Sequence, residues 1–137
     1  MTVLQSRRPR RIATQAEEAA AVSTTTDVTP ANQQFHPSAA KCWAYVTVAA
    51  GTPTLVASYN ITSITDTGVG ILTITIATDF ASANWASFGT IELAGSTVSC
   101  VVSGGTKAAG SIALLAINVA GSAADPASWN FAGFGVQ

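Results

Sequence analysis

The sequence predicts an all-β domain, an antiparallel β-sandwich of jelly-roll-like form, preceded by a short helix and an extended basic arm. Three observations carry the prediction. From Cys42 onward, segments rich in Val, Ile, Thr and aromatics recur, with Gly, Pro, Asn and Asp between them. One of these segments, 70–77, alternates: Leu72, Ile74 and Ile76 fall on one face, and Thr73 and Thr75 on the other. The chain has 137 residues, 48% of them hydrophobic and only 9% charged, which fits one domain with a sizeable core plus a short arm.

Residues 1–11 form the arm. Arg7, Arg8, Arg10 and Arg11 lie there without an acidic residue, and Pro9 interrupts them. The rest of the chain sets Lys41 and Lys107 against seven carboxylates, so a basic arm precedes an acidic body. Residues 12–41 hold a short helix and a linker. Thr14 and Glu17 have the spacing of a capping box, and Glu17 and Glu18 in the first turn suit the helix macrodipole. Ala16, Ala19 and Ala20 are strong helix formers, and their small side chains allow a close approach between copies of the helix. The Ser-Thr run after position 22 ends the helix, and Thr29-Pro30 forbids its resumption. A helix this short is unstable alone and must pack on something.

The β domain occupies 42–137, with strands predicted at 42–49, 54–59, 61–66, 70–77, 84–93, 97–103, 111–119 and 127–134. Asp66 to Gly70 reads as a hairpin loop, Gly104-Gly105 as a turn, and Asp125-Pro126 as another. The segment 112–119 does not alternate. It is apolar on both faces, which suits a strand covered twice, by a neighbouring subunit through Leu115 and Ile117, by a loop, or as a helix. Near the C-terminus, alternation puts Trp129, Phe131 and Gly133 on one face, as in a core strand. Trp43, Tyr45, Tyr59, Trp85 and Phe134 are likewise expected in core or interface, and any left exposed could stack on sugars.

The inventory is poor in catalytic chemistry. His36 is the single histidine and sits between Phe35 and Pro37, so a Ser-His-Asp relay would depend on it. Asp66, Asp79 and Asp125 fall in turns or loops, where they cap backbone, and only an accidental pair such as Asp66 with Asp79 would suit glycoside hydrolysis. Cys42 and Cys100 with one histidine do not make a zinc site. They read as buried thiols, with a disulfide as the alternative. No catalytic, cofactor-binding or metal-binding residues are expected, and no cofactor. Asn60-Ile61-Thr62 is formally a glycosylation sequon but falls among strands. No apolar stretch is long enough to span a bilayer, and no signal-peptide core follows the arginines.

Four segments, in order, resemble bacteriophage tail-fibre and virion-projection proteins. Ala13 to Glu17 with Thr24 to Pro30 resembles an A-T-x-A-E … V-T-P segment preceding terminal fibre domains. His36 to Tyr45 resembles an H-P-S-A-A-K-x-W opening of a β domain, Ser58 to Gly70 its next hairpin, and Thr78 to Trp85 the segment that follows. The resemblance implies a non-enzymatic, homotrimeric fibre or spike, assembled in the bacterial cytoplasm and mounted on a capsid or tail. A host-receptor tip binding cell-surface glycan is the alternative, and membrane insertion is not expected. Beside it, the Arg7, Arg8, Arg10 and Arg11 cluster has three readings: attachment to an acidic groove of another virion protein, nucleic-acid binding, or a solvated tail.

Overall fold

The computed structural model describes residues 11–92 and 98–137, with only the backbone path given for 98–105. It divides into two compact units, residues 1–39 and residues 40–137.

In the N-terminal unit, β1 (Arg11–Ile12) pairs in parallel with β2 (Thr26–Asp27), and α1 (Gln15–Ala20) lies between them in sequence. The capping box forms as the spacing predicts. The Glu17 backbone N–H donates to Thr14 Oγ1 at 3.3 Å, and the Thr14 backbone N–H donates to Glu17 Oε2 at 2.9 Å. The helix stops earlier than the Ser-Thr run, because Ala21 turns left-handed at φ 53° and its N–H closes on Glu17 and Glu18 carbonyls. Proline did not exclude a second helix. Pro30 occupies the first helical position of α2 (Pro30–Gln33), where its missing N–H has no intrahelical partner to lose. Ala13, 3% exposed, ties the unit together: its N–H donates to the Asp27 carbonyl, and its own carbonyl accepts from Asn32 Nδ2.

Among the described residues, the larger unit is an antiparallel β-sandwich of eight strands. They are β3 (Cys42–Ala49), β4 (Thr52–Tyr59), β5 (Ile61–Gly68), β6 (Ile71–Ile76), β7 (Ala86–Glu92), β8 (Val98–Lys107), β9 (Ser111–Asn118) and β10 (Ser128–Phe134). One sheet has the order β4-β3-β10-β7 and the other β5-β6-β9-β8, with every neighbouring pair antiparallel. The jelly-roll character lies in the non-consecutive neighbours: β10 inserts between β3 and β7, and β9 beside β6.

The four central strands supply the core by alternation. Cys42, Ala44 and Val46 point inward from β3, and Trp129 and Phe131 from β10. Leu72, Ile74 and Ile76 face them from β6, and Ile112, Leu114 and Ala116 from β9. The non-alternating segment is a strand, not a helix. Leu115 and Ile117 lie on its other face and are half-buried. Two turns differ from expectation. The β5–β6 hairpin is tighter, since β5 continues to Gly68 and only Val69-Gly70 turn. Gly104-Gly105 lie within β8, where the register against β9 shifts between Ser103 and Lys107.

The corner between the sheets is a single residue, Asn60, at φ 56°. Left-handed backbone is accessible to Asn because its short amide bonds locally. Here Oδ1 accepts from the Thr78 N–H at 2.8 Å, and Nδ2 donates to the Lys41 carbonyl at 2.9 Å and the Thr78 carbonyl at 3.3 Å. The sequon residue is therefore a structural corner. Asn60→Ala is expected to cost about 2–3 kcal/mol in urea unfolding, and Asn60→Gly, which keeps the backbone freedom, clearly less. Equal losses would show that the amide bonds, not the backbone conformation, hold the corner.

Candidate functional site

The aromatic residues divide in a way that alternation alone did not reveal. Phe80, Trp85, Trp129 and Phe131 are buried. Trp85 stacks on Phe80 at 4.5 Å with 9° between planes, and meets Phe131 edge-on at 6.2 Å. Its Nε1–H donates to the Ala108 carbonyl at 2.9 Å. Lys107 Nζ sits 5.0 Å above its ring and donates to its carbonyl oxygen. This cluster anchors the end of β10, where Gly133 and Gly135 leave room for the rings.

Trp43, Tyr59 and Phe88 instead face outward, at 42%, 46% and 64% exposure. Register explains their meeting. Tyr59 on β4 pairs with Trp43 on β3, Trp43 with Ala132 on β10, and Ala132 with Phe88 on β7. Paired residues share a sheet face, so the row crosses all four strands. Phe88 also makes an edge contact with Phe134 at 5.8 Å. The next row along is Ala57, Tyr45, Asn130 and Thr90. Neither row carries a charge. The expectation of core or interface therefore fails as to core for Trp43 and Tyr59, and Phe88 was missed. The signal was the inward set Cys42, Ala44 and Val46, which leaves Trp43 and Tyr45 on the opposite face.

The groups weighed for catalysis are used by the backbone or lie apart. His36 Nδ1 lies 2.6 Å from Ser38 Oγ, in the N-terminal unit. Asp66 Oδ1 accepts from the Gly68 N–H at 3.1 Å, and Asp125 Oδ1 from the Gly70 N–H at 2.6 Å. Asp66 pairs near the start of β6 and Asp79 follows its end, so the two do not form a carboxylate pair. No group of three or more metal-ligating side chains occurs among the described residues.

Of the residues expected at interfaces, Arg7, Arg8 and Arg10 lie outside the described residues. Arg11, on β1, forms an ion pair with Glu17. Glu17 is held below its ordinary carboxylate pKa, first by the Thr14 backbone N–H and hydroxyl, with the Arg11 guanidinium adding to them. Ala16, Ala19 and Ala20 are exposed on α1. Leu115 and Ile117 lie half-buried on β9 in the other unit.

Cys42 is a free, buried thiol, while the side chain of Cys100 falls outside the described set. Burial pushes the Cys42 thiol up to about 11 from 9.0, against a smaller opposing effect of the Gly133 backbone. The folded state holds this proton more tightly than the unfolded chain. Its contribution to stability is therefore full below pH 9.0 and falls as pH rises toward about 11. At pH 8, iodoacetamide is expected to leave Cys42 unmodified in the folded chain and to label it fully in denaturant, as read by peptide mass mapping. Rapid labelling without denaturant would contradict the buried thiol.

With the geometry in place, comparison with known proteins adds one finding: a family model described as Erg28 like protein matches residues 8–108. The chain belongs to the Erg28-like family. No curated protein and no solved structure matches it. This family is a membrane family of the endoplasmic reticulum associated with sterol biosynthesis. The match overturns the resemblance to phage fibre proteins, and with it the virion location and the fibre, spike or capsid-decoration role. The virion partners, the trimer attached to that role and the host-glycan alternative fall likewise. The four quoted segments are short and rich in Ala, Ser and Thr, so they constrain identity weakly. The matched span of this Erg28-like chain takes in β1 through β8, and no helix among the described residues is long and apolar enough to cross a membrane.

Proposed function

We propose that this Erg28-like chain is a non-enzymatic docking module that binds a protein through the outer face of its β4-β3-β10-β7 sheet. The observation that carries the reading is the uncharged row Tyr59, Trp43, Ala132 and Phe88, in register across four strands. Interface cores are enriched in Trp, Tyr and Phe and depleted in Lys, Glu and Asp, and the anchors of binding energy are drawn from the same aromatics. The family's association with membrane enzyme complexes supports a partner that is a subunit of such a complex. The side chains themselves support the non-enzymatic reading: Asp66 and Asp125 accept from turn backbone N–H groups, and His36 Nδ1 lies beside Ser38 Oγ.

The test places a photo-crosslinking phenylalanine at 43, 59 or 88 in turn, with Thr62 and Thr73 on the other sheet as control positions. The expected result is one and the same membrane-complex subunit captured at all three sites and at neither control. The purified subunit should then lose at least about tenfold in affinity for a folded Trp43→Ala chain, the usual weight of an aromatic anchor. Adducts to lipid alone, equal capture at the controls, or no adduct would overturn the reading.

A further inference from the structure

The aromatic row ends on β7, the outermost strand of its sheet: among the described residues β7 has a single neighbour, β10. The direction of its backbone follows from three bonds. The Ala127 and Gly133 carbonyls accept from the Val48 and Lys41 N–H groups, each at 2.8 Å, so odd-numbered residues of this strand aim their carbonyls at β3. The Glu92 carbonyl accepts from the Ala127 N–H at 2.9 Å, so even-numbered residues of β7 aim at β10. Backbone groups alternate in direction along an antiparallel ladder. The β7–β10 register holds from Ala86 to Glu92 without a shift. Ser87, Gly89 and Ile91 therefore turn both N–H and carbonyl away from the sheet. The other three outer strands are blunted. β4 carries Pro53, and its pairing shifts between Tyr45 and Val46, while β5 and β8 each shift twice. Prolines and bulges keep an edge from taking another strand, and β7 has neither. Ala86, Phe88, Thr90 and Glu92 stand exposed on the outward face beside this edge.

We propose that β7 takes a fifth strand from the partner protein. The segment is extended and antiparallel, with a basic residue opposite Glu92 and, four positions further on, an apolar residue opposite Phe88. The proposal rests on the reading of the outer face as a docking face and says how the partner reaches it. The N–H and carbonyl groups of Ser87, Gly89 and Ile91 require an extended backbone, the mode in which a peptide adds to a sheet edge. Antiparallel pairing continues the pattern of this sheet and is the more stable per residue. Phe88 belongs to both the edge and the aromatic row, so the outward side chains of the added strand come into line with that row. Glu92 is the only charged residue of β7, and an opposite charge across the pair stabilises it where a like charge opposes it.

The experiment titrates the full chain with the end-blocked peptide Lys-Thr-Val-Thr-Ile-Thr-Thr, followed by amide chemical shifts and hydrogen exchange. One control peptide is N-methylated at its central threonine, and a second has glutamate in place of lysine. The expected result is saturable binding that slows exchange at the Ser87, Gly89 and Ile91 amides. The Phe88 and Thr90 amides, already bonded to β10, should not change. The N-methylated peptide should not bind, and the glutamate peptide should bind more weakly. Ser87→Pro removes one edge donor and leaves the β10 ladder intact. It should weaken the peptide at least about tenfold, and Ser87→Ala less than about twofold. Slowed exchange elsewhere, equal binding of either control peptide, or no saturable binding would overturn the proposal. So would a dimer of the free chain that Ser87→Pro dissolves, since a second copy would then occupy the edge. The exchange pattern is read on the unaltered protein, so it decides the matter even if Ser87→Pro folds poorly. Capture of a subunit at 43 and 59 without edge protection by the peptide would strike the added strand and leave the docking face. Edge protection without capture would do the reverse.

Discussion

Gly70→Ala should unfold at far lower urea than the parent chain, with a loss of about 3–5 kcal/mol. Gly70 closes the β5–β6 hairpin at φ +67°, a conformation that costs an L side chain about 1–2 kcal/mol by itself. The larger part is steric. A Cβ there would lie 2.6 Å from the Ala124 nitrogen, 2.7 Å from the Ala116 carbonyl oxygen and 2.8 Å from the Ala124 carbonyl oxygen. All three are backbone atoms held by the sheet and the loop after it, so none can swing away. The hairpin is also tied to that loop, since the Gly70 N–H donates to Asp125 and its carbonyl accepts from Ala116. Gly121 is the control. It has φ +80° but nothing within 4 Å of its would-be Cβ, so Gly121→Ala should cost only the conformational part, about 1 kcal/mol. Similar losses at both positions would mean the loop moves aside at Gly70.

Trp85→Ala should be nearly as damaging, at about 3–5 kcal/mol, the usual range for removing a buried aromatic. The substitution empties the place between Phe80 and Phe131 and leaves the Ala108 carbonyl without its indole donor. It also takes the ring from beneath the Lys107 ammonium. Trp85→Phe separates these effects. It keeps a ring against Phe80 but not the N–H, and should cost about 1–2 kcal/mol beyond the lost area. Thermal and urea unfolding of both variants, followed by the fluorescence of Trp43 and Trp129, provides the measurement. A full-sized loss in Trp85→Phe would shift the weight from packing to the single hydrogen bond.

Much of the sandwich was legible in the sequence because each strand announces itself locally. Leu72, Ile74 and Ile76 alternate with threonines, and Asp, Asn and Gly mark the places where strands stop. The sheet corner was not legible: Asn60 lies between two β-prone runs, but only its φ of 56° and its bonds to Lys41 and Thr78 show the turn from one sheet to the other. Other features depend on distant partners. The β1–β2 pair is two residues long on each side and has no pattern of its own. Gly104-Gly105 reads as a turn by composition, yet pairing with β9 carries the strand past it. The candidate docking face was harder still. Trp43 is a better core residue than Cys42 by size, and only the register with Tyr59, Ala132 and Phe88 shows that it belongs to an outward row.

The insertion of β10 between β3 and β7 also orders events during synthesis. The ribosome delivers β3 and β7 well before Phe134, and until then each lacks the neighbour that β10 provides. The sheet bearing the aromatic row cannot close before β10 has been made, whereas β5 and β6 can pair as soon as they are out. Until β10 has been made, β3 and β7 lack the strand that joins them, and the sheet bearing the aromatic row stays incomplete.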